Sequence, residues 1–184
     1  MKTVQQLLHM KFLTFTLFLI PYLLFSQSSH ADNQNSRFFD FDQIDHYSIK
    51  ISTDEISKME FKNQKKDALL REIIRGNYPE KADDTISKTL TDHGFSIKTV
   101  DKALHPELND IFSEKECSDH IGGGFCIPTF RDILVFLKDH QVVGVVKLCY
   151  QCRFAIIRGT QKSVRNFGSC GDFLRLEKLL ENKP

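Results

Sequence analysis

The clearest hydrophobic pattern lies in the C-terminal half of the chain. Ile133, Val135 and Leu137 alternate with Asp132, Leu134 and Phe136, so both faces of this run are apolar. That pattern predicts a central strand covered on both sides. The polar stretch Lys138-Asp139-His140-Gln141 follows, and Val142 to Cys149 is a second, Val-rich run. Two such runs four residues apart predict a β-hairpin. Phe154 to Ile157 makes a third short strand of the same meander. After a loop with Gly159, Asn166 and Gly168, Asp172 is placed to cap a last helix. Its stripe is Phe173, Leu176, Leu179 and Leu180.

Upstream, Phe38, Phe39 and Phe41 open the fold. Tyr47, Ile49 and Ile51 alternate with Ser48, Lys50 and Ser52, which predicts a half-buried strand. Thr53 or Asp54 would cap a helix carrying Ile56 and Met59. A second helix carries Ala68, Leu69, Ile73 and Ile74 and stops at Gly76, with Pro79 beyond. Asp84 or Thr85 would cap a third, through Ile86 and Leu90 to Gly94. Pro106 suits the first position of a helical turn with Leu108, Ile111 and Phe112. The charge run Lys58 to Arg71 reads as a solvated helix face. The order strand, helices, meander, helix predicts an α+β domain. It has an antiparallel sheet of about four strands with helices packed on it.

The N-terminus follows a different pattern. Phe12 to Phe25 is apolar apart from Thr14, Thr16 and Pro21, and Lys2 and Lys11 are the only charges before Asp32. A run this short fits a signal-peptide core better than a membrane span, which needs about 20 residues. Residues 1–26 are therefore expected to be a signal peptide, with an uncleaved anchor as the alternative. Residues 27–37 are polar and aperiodic and read as a disordered spacer, leaving 38–184 as a single domain. Membrane contact is expected only through the signal segment during export. Without Lys2 and Lys11 the chain holds 23 basic and 24 acidic residues. That near-neutral balance speaks against a nucleic-acid footprint.

Candidate chemistry is concentrated in five cysteines, all between Cys117 and Cys170. Export permits disulfides. Cys117 and Cys126 bracket SDHIGGGF. A crosslink there would offset the ordering of three glycines by roughly 2.7 kcal/mol. Cys149-Tyr150-Gln151-Cys152 offers a second pair, within bonding reach if Tyr150-Gln151 is a tight turn. The pair lacks the following His of a haem site and the following helix of a thioredoxin site. A zinc site would need Cys170 with His120 or His140. The odd cysteine, Cys170, sits in Gly168-Ser169-Cys170-Gly171-Asp172, which is similar to the nucleophile turn of viral chymotrypsin-like cysteine proteases. The helix dipole near it makes it a candidate reactive thiol. A nucleophile would need a His base, from His46, His93, His105, His120 or His140. The glycines also suggest a backbone anion nest, and His120-Ile121-Gly122-Gly123-Gly124 is similar to a lipase oxyanion loop, without any G-x-S-x-G elbow. Arg131 and Asp132 read as a cross-strand or loop-anchoring charged pair.

Three segments carry one resemblance. These are Cys126-Ile127-Pro128-Thr129-Phe130-Arg131-Asp132-Ile133-Leu134, then Cys149-x-x-Cys152, then Phe167-Gly168-x-Cys170-Gly171-Asp172. Together they resemble a set of small exported proteins of Flavobacteria and other Bacteroidetes that carry no assigned activity. The resemblance implies a bacterial, exported protein, periplasmic or secreted, and no particular reaction.

The expectation is an exported, non-catalytic globular protein without a cofactor, acting as a binding or inhibitor-like module. A thiol-redox or zinc protein using Cys149, Cys152 and Cys170 is the alternative. A Cys170-dependent hydrolase is the second alternative.

Overall fold

A five-stranded antiparallel sheet forms the middle layer. Its strands are β1 (Gln43–Ser48), β2 (Ser96–Thr99), β3 (Asp132–Lys138), β4 (Gln141–Cys149) and β5 (Phe154–Arg158), in the order β2-β1-β3-β4-β5. The helices are α1 (Thr53–Lys62), α2 (Lys65–Ile74), α3 (Thr85–Asp92), α4 (His105–Ile111) and α5 (Asp172–Leu180). A 3-10 turn, Lys102–Leu104, leads into α4. The computed structural model describes residues 36–62, 65–117 and 125–180. The expected signal peptide, most of the spacer, His120 and Gly122 to Gly124 lie outside the described residues, which belong to one compact unit beginning at Ser36.

The two-sided pattern of β3 has a direct consequence. Leu134 and Phe136 face one way, Ile133 and Val135 the other, and all four are buried. The first face packs Leu108, Ile111 and Phe112 together with Phe173 and Leu176 of α5. The second packs Ile56 of α1, Ile73 and Ile74 of α2, and Ile86 and Leu90 of α3. The protein is thus α+β in three layers, with the antiparallel sheet between two sets of helices. The β3–β4 hairpin turns through Asp139 (φ 48°) and His140 (φ 65°). Two left-handed residues match the twist of the flanking strands.

Several local expectations are corrected. The first strand is Gln43–Ser48, not Tyr47–Ser52. Its polar residues find partners inside the sheet: Thr99 Oγ1 donates to Asp45 Oδ1 at 2.8 Å, and His46 pairs with Asp132. Ile49 and Ile51 pack on the second face from the following loop. Ser52, rather than Thr53 or Asp54, caps α1. Its Oγ accepts from the Glu55 N–H at 3.2 Å, and Glu55 Oε2 accepts from the Ser52 N–H at 2.8 Å, a reciprocal capping box. At α3 it is Asp83 whose carboxylate accepts from the Thr85 N–H, at 3.0 Å. The fold begins two residues before Phe38. Arg37 bridges to Ser113, and the Glu114 N–H donates to the Ser36 carbonyl at 2.9 Å. Backbone pairing of this kind needs no apolar side chain, so a polar spacer takes part in it.

Candidate functional site

The connection from α4 to β3 carries the site. Its two cysteines do not bond to each other. Cys117 pairs with Cys170, Cα–Cα 5.9 Å, and Cys126 pairs with Cys152, Cα–Cα 5.7 Å. The expected Cys117–Cys126 and Cys149–Cys152 bridges are replaced by two long-range ones. The physical reason is where the fold takes each end of the connection. One end lies at the start of α5, the other at the β4–β5 turn.

The α5 end is built on a glycine turn. Gly168 (φ 95°) has no room for a Cβ, which would stand 2.7 Å from the Phe173 ring. Asp172 is fully buried, and its Oδ2 accepts from the Gly168 N–H at 3.1 Å. Its Oδ1 lies 3.3 Å from Lys115 Nζ, a pair shut away from water. Burial raises the Asp172 pKa, and Lys115 opposes that shift. Asp172, expected as a helix cap, is instead the first residue of α5, and its carboxylate bonds back to Gly168 and Lys115 as the buried anchor of the Cys117 strap. Cys170 has no free thiol here, because its sulfur is bonded to Cys117.

At the other end the backbone from Cys126 to Phe130 is held at four points. Cys126 is tied to Cys152 in the β4–β5 turn. Arg75 Nη1 donates to the Ile127 and Pro128 carbonyls at 3.1 and 3.2 Å. The Thr129 N–H donates to Cys149 Sγ at 3.4 Å. The Phe130 N–H donates to the Ile74 carbonyl at 2.9 Å. Under this segment lies Lys147, fully buried on β4. Its Nζ donates to the Gly76 carbonyl at 2.7 Å and sits 4.4 Å from the Phe130 ring centroid. Burial depresses its pKa to about 7, with Arg158 adding to the effect and Glu72 opposing it.

On this pinned backbone and directly before it, two apolar side chains stand in water. Phe125 is fully exposed and Ile127 is 77% exposed. Phe154, at the start of β5, is also exposed, and its ring centroid is 6.1 Å from that of buried Phe130. Arg153, exposed beside Cys152, and Arg75 put positive charge next to the apolar group. Sequence reasoning singled out Cys126 and Cys152 but passed over Phe125, Ile127 and Lys147. Apolar residues on both sides of Cys126, just before Pro128, were the available signal. So was a lysine in the middle of a Val-rich strand.

The remaining candidates are dispersed. Cys149 is a free, buried thiol. Cys152 and Cys170 belong to different disulfides, so Cys149, Cys152 and Cys170 do not form a thiol or zinc cluster. No group of three or more His, Cys, Asp and Glu with metal-binding geometry occurs among the described residues. His46 Nε2 donates to Asp132 Oδ1 at 2.8 Å across β1 and β3, and Arg131 Nε donates to the Ile51 carbonyl at 3.0 Å. Asp132 thus makes a cross-strand contact, while Arg131 anchors a loop through a carbonyl rather than through a carboxylate. A cleft of about 620 Å³ opens beside His46, lined by Lys98, Leu104, Leu179 and Leu180 among others. The His93 ring Nδ1 donates to the Thr89 carbonyl at 2.8 Å, His105 opens α4, and His140 lies in the β3–β4 hairpin.

Fold and site together define a disulfide-stapled α+β domain that presents a pinned apolar segment. Comparison of the chain with protein-family models, with curated proteins and with solved structures finds no match.

Proposed function

We propose that the chain is an exported, non-catalytic binding module that docks to another protein through the segment Phe125–Pro128. One observation carries the reading. Two apolar side chains stand exposed, Ile127 on a backbone immobilised by a disulfide and by the Arg75 guanidinium, and Phe125 directly before the clamped Cys126. Exposed apolar groups on a mobile loop lose conformational freedom on binding, whereas a pre-ordered segment avoids most of that penalty. This is the inhibitor-like feature. Arg75 and Arg153 flank the apolar pair, so the complementary partner surface is an apolar pocket with an acidic rim. Two disulfides suit an oxidising compartment, and the apolar N-terminal run fits an export signal. Among the described residues no helix is long and apolar enough to cross a membrane.

The test is a photo-reactive benzoylphenylalanine at position 125 or 127, in cells that export the protein. The control places the same group at Leu174, an exposed apolar residue of α5. A discrete protein adduct from 125 and 127, absent from 174 and weakened by high salt, is the expected result. Equal adducts from all three positions, or none, would refute the docking role.

A further inference from the structure

The Cys149-x-x-Cys152 pair has an asymmetric arrangement. Cys149 ends β4 as a buried free thiol, and its Sγ accepts from the Thr129 N–H at 3.4 Å. Cys152, three residues further on, is bonded to Cys126. Both sulfurs of the pair are therefore directed at one short segment, Cys126 to Thr129. Cys149 directly precedes the turn Tyr150–Arg153, in which the Arg153 N–H donates to the Tyr150 carbonyl at 3.2 Å, and Cys152 lies within that turn.

We infer that Cys149 is an exchange thiol for the Cys126–Cys152 disulfide, so that the docking segment exists in a clamped and a released isomer. The consequence for binding rests on the function proposed above; the exchange itself does not. Cys149 gives its proton to solvent, and its thiolate attacks Cys152 Sγ. The Cys149–Cys152 bond forms and the Cys126–Cys152 bond breaks. Cys126 leaves as a thiolate and takes up a proton. One disulfide is made for one lost, so no oxidant or reductant is required. The Thr129 N–H donates to Cys149 Sγ and so orients the attacking sulfur. The present ring joins residues 26 apart, whereas the alternative ring closes only a four-residue turn. In the folded chain the clamped isomer is the resting one, since that is the pairing the structure holds. After exchange the Arg75 bonds to Ile127 and Pro128 still hold the segment, but Cys126 and Phe125 swing free of the β4–β5 turn.

Purified full-length protein is incubated without reductant at about pH 8.5, where thiolates form. Iodoacetamide is added under native conditions and the peptides are mapped without reduction. The expected pattern is label on Cys126, a crosslinked Cys149–Cys152 peptide and an intact Cys117–Cys170 bridge. Cys149→Ser should lose all native-state label while its Cys126–Cys152 and Cys117–Cys170 bridges stay intact. Label confined to Cys149, no label at all, or scrambling that also opens Cys117–Cys170 would overturn the inference. This readout needs no partner. Its failure leaves the docking reading untouched, and a missing adduct from position 125 leaves the exchange untouched.

Discussion

Lys147 Nζ donates to the Gly76 carbonyl at 2.7 Å, and this bond ties the middle of the sheet to the end of α2 directly beneath the clamped segment. The ammonium is fully buried, and its pKa falls from an ordinary 10.5 to about 7. Between those values the unfolded chain binds a proton that the folded chain does not. Stability should therefore rise as pH increases from about 7 toward 10, by roughly a few kcal/mol. Below about pH 7 both states are protonated and the burial penalty is present in full. Lys147→Met should flatten that rise. Denaturant unfolding from pH 6 to about 10 measures it, and parallel wild-type and variant curves would show that Lys147 does not titrate with folding.

The central hairpin was legible in the sequence because burial on both faces leaves an unbroken apolar run, Ile133 to Leu137. The first strand was displaced by four residues, because Asp45 and His46 are polar and look like a turn. Their partners, Thr99 and Asp132, come from distant parts of the chain. Edge strand β2 carries almost no signal, since all four of its residues are exposed. The capping box Ser52-x-x-Glu55 was written in the sequence and passed over in favour of nearer caps. Disulfide pairing was out of reach for a different reason. Ring-size reasoning favours neighbours, and only the folded sheet and α5 reveal that Cys117 meets Cys170 and Cys126 meets Cys152.

Those pairings set a measurable order of stability. The Cys117–Cys170 and Cys126–Cys152 rings span separations of 53 and 26 residues. Loop entropy then assigns them about 4 and about 3.5 kcal/mol. Replacing both cysteines of either pair by Ala should lower the unfolding free energy by several kcal/mol, somewhat more for the first. A crosslinked Cys117–Cys126 peptide in a non-reducing map of the resting protein would contradict the connectivity.

The Lys115–Asp172 pair is shut away from solvent at 3.3 Å. Removing one partner strands a buried charge. Lys115→Met should therefore cost about 3–5 kcal/mol, and adding Asp172→Asn should recover much of that. Calorimetric melting of the two single variants and the double variant closes the cycle. Additive losses would mean that the two groups do not interact.

Gly144 on β4 lies against the Phe39 ring, and a Cβ there would overlap it. Phe39 also packs, tilted by 34°, against Phe136 at 4.5 Å between centroids, so the ring has little room to retreat. Gly144→Ala should destabilise by about 1–3 kcal/mol despite its small size. A neutral result in urea unfolding would show that the aromatic layer repacks freely.

The most direct measurement is the affinity of the Phe125→Ser/Ile127→Ser variant for the protein captured from position 125, set beside its thermal midpoint. Both side chains stand in water, so the fold should melt where the wild type melts. Removing two apolar anchors, each contributing about 1.5 kcal/mol or more, should weaken binding by about 100-fold. Unchanged affinity with an unchanged midpoint would contradict docking through Phe125 and Ile127.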